Sequence, residues 1–342
     1  MTTLSNPEST VNDKHTQTAD NNTDNLPELG PDSILWQRFG DWRSAFVALS
    51  AGLLQIAQRD VSRSLVQHSN VFDNEVARLV RSAFPIIRTI YEGPEVGVMI
   101  RDFHKDIKGT HPDGSRYHPL NPDVYYWAHA TFVYRVIYAQ ELFGTPFTKE
   151  ERDQIVREGV TWWDKYGMSE RPVIDNYDDL VAYMDDMVEN VLERNETVDF
   201  ALRTARVEPV KAPDGVPPRL WKIIWKPIMR STIWLTIGTL PEKYRRILDL
   251  EWTSRDQKRF DRIAKAIRKV FTLLPEDKRF MEPGRSLMIK NGMIEGKYKE
   301  PKTIQAYQPK NEAAEASDTA KPNAEGDSND AVAARRAAGC PF

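Results

Sequence analysis

The sequence contains almost no cysteine and has no excess charge of either sign. Cys340 is the one cysteine among 342 residues, which excludes an intramolecular disulfide, a four-ligand Cys/His zinc finger and a haem attached through a C-x-x-C-H motif. The 47 Lys and Arg residues nearly balance the 50 Asp and Glu residues, and the formal net charge is −3. This balance argues against a nucleic-acid-binding protein that works through a basic surface.

Long apolar runs are also missing. No stretch reaches the length of about 18 uncharged apolar residues that a membrane-spanning helix needs. The N-terminus lacks the apolar core of a signal peptide. We therefore expect a cytoplasmic protein. Cys340 follows a polar stretch near the C-terminus, which favours an inert exposed thiol; ligation of a haem iron by its thiolate is the alternative.

Apolar residues recur at spacings of three and four through most of the chain between 33 and 290, and period-two alternation is scarce. This pattern predicts an all-α fold with one large helical domain over 32–300. The polar composition of 1–31 and 301–342 predicts two disordered tails, and the prolines of 206–218 predict a surface loop within the domain. The predicted helices cover 42–59, 61–69, 74–91, 94–108, 122–143, 148–167, 176–193, 197–205, 219–238, 241–248 and 254–273.

Several helix starts carry capping residues. Thr148 and Glu151 have the spacing of a capping box, Asn121 precedes a proline at a predicted first turn, and Asp73 precedes the helix 74–91. These residues accept hydrogen bonds from the first backbone N–H groups of a helix, and so they predict where the helices begin.

Two histidines lie in strongly apolar surroundings. His104 is in the amphipathic segment PEVGVMIRDFHKDIKG, and His129 is in the aromatic segment DVYYWAHATFVYRVIYAQ. Each is either a buried core histidine with hydrogen-bonded nitrogens or a ligand for a metal or a haem iron. His111 and His118 follow His104 at intervals of seven, but the intervening Pro and Gly residues forbid one continuous helix, which argues against a three-histidine zinc site.

A polar cluster is predicted on the helix 74–91. Arg78, Arg81 and Ser82 in NEVARLVRSAF are at i, i+3 and i+4, so they project from one face. That face is either solvated or directed at a buried cavity. In the second case the guanidinium groups would hold carboxylates, such as cofactor propionates, or polarise a bound oxygen species.

The segment 221–238 combines basic and aromatic residues. Lys222, Lys226 and Arg230 recur at steps of four among tryptophans and aliphatic residues. Such a helix either packs on the domain with its basic edge in water or lies in a membrane interface.

The order of these motifs resembles the MpaB and rubber-oxygenase (latex clearing protein) family of helical haem b proteins. The resemblance is carried by ARLVRSAFPIIRTIYEGP, MIRDFHKDIKG, Tyr117 and NPDVYYWAHATF, and it extends over 32–290. It implies a haem b cofactor and an oxygenase-like reaction of dioxygen with a small apolar substrate of the isoprenoid or alkene class.

The resemblance also implies roles for individual residues. His104 would be the axial ligand of the haem iron, with Arg101 beside it in the cofactor site, and Arg78, Arg81 and Ser82 would lie across the haem as catalytic residues. The family has Lys where this chain has Arg81. Because an arginine stays protonated and is a poor ligand, this difference implies an iron that is five-coordinate or carries water on that side.

Three alternatives stand beside this interpretation. His129 replaces His104 as the iron ligand in the first. In the second, the chain is a non-catalytic helical protein that binds a hydrophobic ligand or a partner. In the third, it is a haem protein with a peroxidase-like or sensing role. The absorption spectrum separates the second alternative from the others, because haem bound through histidine is coloured.

Overall fold

The computed structural model describes residues 26–68, 85–207 and 216–300, and these ranges are mainly helical, which confirms the all-α prediction. The helices are α1 (Ile34–Phe39), α2 (Trp42–Ile56), α3 (Arg59–His68), α4 (85–91, where the description resumes), α5 (Pro94–Asp102), α6 (Pro122–Phe143), α7 (Lys149–Asp164), α8 (Tyr177–Asp186), α9 (Glu196–Val207), α10 (Pro218–Thr239), α11 (Glu242–Ile247), α12 (Ser254–Leu273) and α13 (Gly284–Lys290). A π-helical turn (Met187–Val191) follows α8, and a 3₁₀ turn (Glu276–Lys278) precedes α13.

The central helix of the described fold is α6, which packs lengthwise against α2 and also contacts α7 and α8. Trp127 on α6 and Trp162 on α7 are completely buried. Their indole N–H groups are both satisfied: Trp127 donates to the Leu54 carbonyl at 3.1 Å and Trp162 donates to the Thr89 hydroxyl at 2.7 Å. The aromatic segments around 126 and 162 therefore belong to the hydrophobic core, and the buried N–H groups of the two indole rings are paired.

Two predicted helix starts are confirmed in detail. The Thr148 hydroxyl accepts the Glu151 N–H, and the Glu151 carboxylate accepts the Thr148 N–H, which completes the capping box of α7. Asn121 accepts the N–H of Asp123 at the start of α6. Asp73 lies outside the described residues, as do most of the predicted helix 74–91, the middle of the loop 206–218 and nearly all of both tails.

The predicted helix 94–108 is too long. Helix α5 ends at Asp102, and the chain turns through Phe103–Asp106 into a short hairpin of β1 (Gly109–Thr110) and β2 (Arg116–Tyr117). The His104 ring donates to the Ile100 carbonyl, which a continuing helix would offer to the backbone N–H of residue 104; that N–H donates to the Arg101 carbonyl instead. A local side-chain bond thus competes with the helix.

Helix α1 was not predicted, and its start depends on a residue far away in sequence. The carboxylate of Glu158 on α7 is buried and accepts the N–H groups of Ile34 and Leu35 at 3.1 and 2.6 Å. These are two of the donors that a helix N-terminus leaves unpaired. Helix α13, with seven residues, was also not predicted, whereas the six-residue α11 lies within the predicted helix 241–248.

Candidate active site

A mostly apolar cavity lies among α2, α3, the start of α4, α5, α6 and the end of α7. The space inside it is about 60 Å³, which is below the range of about 300–1,000 Å³ that is common for small-molecule and cofactor sites, so a ligand of cofactor size needs more room than the described side chains leave. Aliphatic and aromatic side chains form most of the wall. The polar side chains that reach it are Gln55, Ser64, His68, His104, Tyr125, His129 and Tyr166.

His104 is held in the cavity wall by the turn that ends α5. Its side chain is buried, with the whole residue 3% exposed, and Nδ1 donates to the Ile100 carbonyl at 2.8 Å. A carbonyl can only accept, so Nδ1 carries the proton and the lone pair of the neutral imidazole is on Nε2. Histidines that bind metals usually donate their other ring N–H to a carbonyl or carboxylate in this way, which fixes the orientation of the ring and its tautomer.

Tyr125 lies beside this imidazole, and Tyr166 lies beside Tyr125. The ring centroid of Tyr125 lies 5.6 Å from that of His104, edge-on, and 5.3 Å from that of Tyr166. Burial raises the pKa of both phenols above the usual value, so they stay protonated at neutral pH. The cavity wall therefore presents neutral hydroxyl groups.

His129 is the second imidazole at the cavity, and it lies in an aromatic cage. Its ring centroid is 4.7 Å from that of Trp162 and 5.3 Å from that of Trp163. Nε2 donates to the Gly159 carbonyl at 2.9 Å, whereas the buried Nδ1 has no hydrogen-bond partner. Burial lowers the pKa of His129 to about 3, and this ring is therefore neutral under ordinary conditions.

Arg101 does not line the cavity. Its guanidinium donates to the Asp102 carboxylate at 2.9 Å and to the carbonyls of Tyr166 and Gly167 at 3.2 and 3.3 Å. Arg101 therefore ties the end of α5 to the turn after α7. Its predicted membership of a cofactor site stays a prediction, and the observed contacts give it a positioning role for His104 and Tyr166.

Arg78, Arg81 and Ser82 lie in 69–84, outside the described residues, and their catalytic role stays a prediction. The described chain on both sides of this segment reaches the cavity: His68 precedes it, Ile86 follows it, and both side chains line the wall.

Sequence reasoning did not single out Gln55 and Tyr166 as parts of this site. The Gln55 amide donates to the Thr131 hydroxyl at 2.6 Å, and Tyr166 follows α7 by two residues. Both reach the cavity because α2 and α7 pack against α6. No local pattern in the sequence signals either contact.

The three other described histidines each have a hydrogen-bond partner, and of these His68 also lines the cavity. His111 bonds the Asp60 carboxylate at 2.8 Å, His118 accepts the N–H of Leu120 at 3.0 Å, and His68 donates to the Lys108 carbonyl at 3.2 Å. No group of three or more His, Cys, Asp or Glu side chains suited to a metal ion is found in the part of the chain that the structure describes.

Helix α10 exposes part of the segment 221–238. Ile223 and Ile228 are exposed, as are the basic residues Lys222, Lys226 and Arg230. The helix continues through Pro227. Within the described ranges, no helix has the length and apolar character required to cross a bilayer. Peripheral membrane contact through 221–238 and a cytoplasmic location stay predictions.

Comparison with known proteins gives one result. The family model of the catalytic domain described as ER-bound oxygenase mpaB/B'/Rubber oxygenase matches residues 36–269, which contain nearly the whole cavity wall. No curated protein and no solved structure matches the chain. A match over more than half of the chain establishes membership, and the chain therefore belongs to the mpaB/B'/rubber-oxygenase family and carries its oxygenase-type catalytic domain.

Proposed function

We propose that the protein is a haem b-dependent oxygenase that oxidises or cleaves an apolar substrate with dioxygen. The observation that carries this proposal is the state of His104: a buried imidazole in the wall of an apolar cavity, with Nδ1–H bonded to a backbone carbonyl. The proposal makes this residue the axial ligand of the iron, through Nε2.

The donor set fits a haem better than a metal ion bound only by side chains. A porphyrin supplies four nitrogen ligands, so the protein has to contribute a single axial ligand. Two imidazoles in a largely aliphatic and aromatic wall meet this requirement, and such a wall also suits the porphyrin face and an apolar substrate. In both rings one nitrogen is bonded to a carbonyl, and His104 is proposed over His129 because the family resemblance assigns it this role.

The other residues at and near the cavity would have separate roles around this cofactor. When bound, haem b supplies the iron centre at which dioxygen is activated. The Ile100 carbonyl holds the His104 ring in one tautomer, and Arg101 holds the turn that positions Tyr166. The aromatic residues of α6 exclude water, and the protonated phenols of Tyr125 and Tyr166 offer hydrogen-bond donors to a polar atom of the substrate or product.

Arg78, Arg81 and Ser82 complete the proposal as the polar wall opposite His104. In the sequence, their segment lies between His68 and Ile86, which both line the cavity. Guanidinium groups stay charged at all working pH values and hold carboxylates in a fork geometry, which suits propionate groups. An arginine at position 81 would stay protonated and would not itself bind the iron.

The first experiment measures haem binding by purified wild-type protein, His104→Ala and His129→Gln. We expect about one haem b per wild-type chain, with a Soret band and a pyridine haemochrome spectrum. His104→Ala should lose most of the haem, and His129→Gln should retain it. Far-UV circular dichroism controls for folding, and added imidazole should restore binding to His104→Ala by replacing the missing ligand.

The opposite results identify the alternatives. Loss of haem in His129→Gln but not in His104→Ala would assign the iron to His129. A colourless, iron-free wild-type protein from haem-replete cells would overturn the proposal in favour of a protein that binds a hydrophobic ligand. A haem-loaded protein that consumes no dioxygen with any alkene or isoprenoid tested would favour a peroxidase-like or sensing role.

A further inference from the structure

We propose that a second cavity, distinct from the one that contains His104, binds a phosphate group carried by a partly apolar molecule. The volume of this cavity is about 290 Å³. It lies between the end of α1, the start of α2, the loop 144–148 before α7, and the end of α12 with the segment that follows. Arg38, Arg43 and Arg279 line it, and its apolar wall includes Phe147 and Phe271.

The Arg38 side chain has no polar partner among the described residues. Its guanidinium forms no ion pair and no side-chain hydrogen bond with any residue of the described ranges, although it lies in the cavity wall and is only half exposed. All five of its N–H donors are therefore available to a ligand or to water. A charged side chain with this position and no partner is the observation that first indicates a ligand.

Arg43 and Arg279 are fixed in place and each keeps donors for a ligand. Asp41 is completely buried and accepts from Nε and Nη2 of Arg43 at 2.9 and 2.5 Å, and the guanidinium lies 5.2 Å from the Phe271 ring centroid. Arg279 donates through Nε and Nη2 to the carbonyls of Leu274 and Thr272. No described residue accepts from Nη1 of either arginine.

The balance of charge favours an anion. Glu151 is the one carboxylate in the wall, and its oxygen is engaged in the capping box of α7. With Asp41 behind Arg43, three cations face two carboxylates. Like charges around one cavity repel each other unless an anion lies between them, and arginine forks match the oxygens of phosphate.

The apolar side of the site indicates the rest of the ligand. Pro146, Phe147 and Phe271 line the same cavity. Apolar side chains are also exposed near this cavity. Leu273 is 75% exposed, and the carbonyls of its neighbours Thr272 and Leu274 accept from Arg279. Trp42 is 47% exposed, and its backbone N–H donates to the Arg279 carbonyl. A monoalkyl phosphate or the headgroup of an anionic phospholipid has this combination of charge and apolar surface.

The test compares wild-type protein with Arg38→Ala and the matched control Arg255→Ala. Arg255 is an exposed arginine of α12 without a side-chain partner in the described ranges, so its loss removes the same charge elsewhere. Isothermal titration at constant ionic strength with inorganic phosphate and with hexyl phosphate should show binding to the wild type and the control, tighter for hexyl phosphate. Arg38→Ala should bind at least tenfold more weakly.

We expect Arg38→Ala to fold, because the substitution removes no side-chain hydrogen bond or ion pair with the described residues. Equal binding of phosphate by Arg38→Ala and the wild type, or no binding by any of the proteins, would overturn the proposal. Flotation with vesicles of phosphatidylcholine with and without phosphatidic acid then identifies the source. Vesicle recovery that depends on both phosphatidic acid and Arg38 indicates a lipid headgroup, whereas hexyl phosphate binding without flotation indicates a soluble ligand. None of these measurements depends on haem.

Discussion

His129 shows how the burial of one residue makes stability depend on pH. Burial lowers the pKa of this imidazole to about 3, while the unfolded chain binds a proton near pH 6.5. The unfolded state therefore takes up the extra proton first, so the stabilising contribution is complete above pH 6.5 and is lost as the pH falls towards 3. Between pH 7 and pH 5 this residue alone should lower the free energy of unfolding by about 2 kcal/mol.

Urea unfolding of wild-type protein and His129→Gln at pH 7 and pH 5, at matched cofactor content, measures this effect. The decrease in the free energy of unfolding should be smaller in His129→Gln by about 2 kcal/mol, since glutamine does not titrate. An equally steep decrease in both proteins would show that the His129 ring is accessible to protons in the folded state.

The histidines also show what a sequence can and cannot predict about a site. The apolar neighbours of His104 and His129 predicted two buried imidazoles, and both are buried at one cavity. The sequence did not predict the hydrogen bonds that fix which ring nitrogen of each histidine carries the proton. The Gly159 carbonyl comes from a different helix than His129, and the Ile100 carbonyl is available to His104 only because α5 stops at Asp102.

At the level of the helices, one close approach positions the His104 turn. Helix α5 passes so near the end of α7 that a Cβ at Gly97 would overlap the backbone carbonyl of Lys165. A carbonyl in a fixed turn cannot move as a flexible side chain can. Gly97→Ala should therefore displace α5, and with it Arg101 and His104, and should lower haem occupancy severalfold.

Gly52→Ala is the matched control for this prediction. Gly52 lies within α2, where a Cβ would meet nothing within 4 Å, so the substitution should stabilise the helix by about 0.5–1 kcal/mol and leave haem occupancy unchanged. Thermal unfolding and the ratio of Soret to protein absorbance measure both outcomes. Normal haem occupancy in Gly97→Ala would show that the position of α5 does not set the iron site.

Helix prediction succeeded where the local pattern was sufficient and failed where distant residues decide. The long helices α6 and α12 have their predicted bounds, 122–143 and 254–273, since eleven or more residues are enough to show a helical period. Helix α1 depends on the Glu158 carboxylate of α7, 124 residues away from Ile34. Such a cap becomes visible only after the chain is folded.

For the whole molecule, the folded unit extends beyond the segment that matches the family. The match ends at residue 269, but Phe280, Met288 and Ile294 are buried in the same core as the helices of the match. Backbone bonds also join the two parts: Met281 donates to the Gly40 carbonyl at 2.7 Å. The described residues after 269 therefore pack in the same core as the matched segment, and the domain bounds 32–300 stay a prediction.

Truncation tests this conclusion, because burial of each large apolar side chain contributes about 1.5–3 kcal/mol. Three such residues together approach the total stability of about 5–15 kcal/mol that is usual for a domain. A chain that ends at residue 269 should therefore lose cooperative urea unfolding and haem binding, whereas a chain that ends at residue 300 should unfold at the same urea concentration as the full chain. If the chain ending at 269 unfolds cooperatively at an unchanged urea midpoint, the segment 270–300 is an addition to a domain that is already complete. The cavity lined by Arg38, Arg43 and Arg279, part of which lies after residue 269, is then not required for the oxygenase domain to fold.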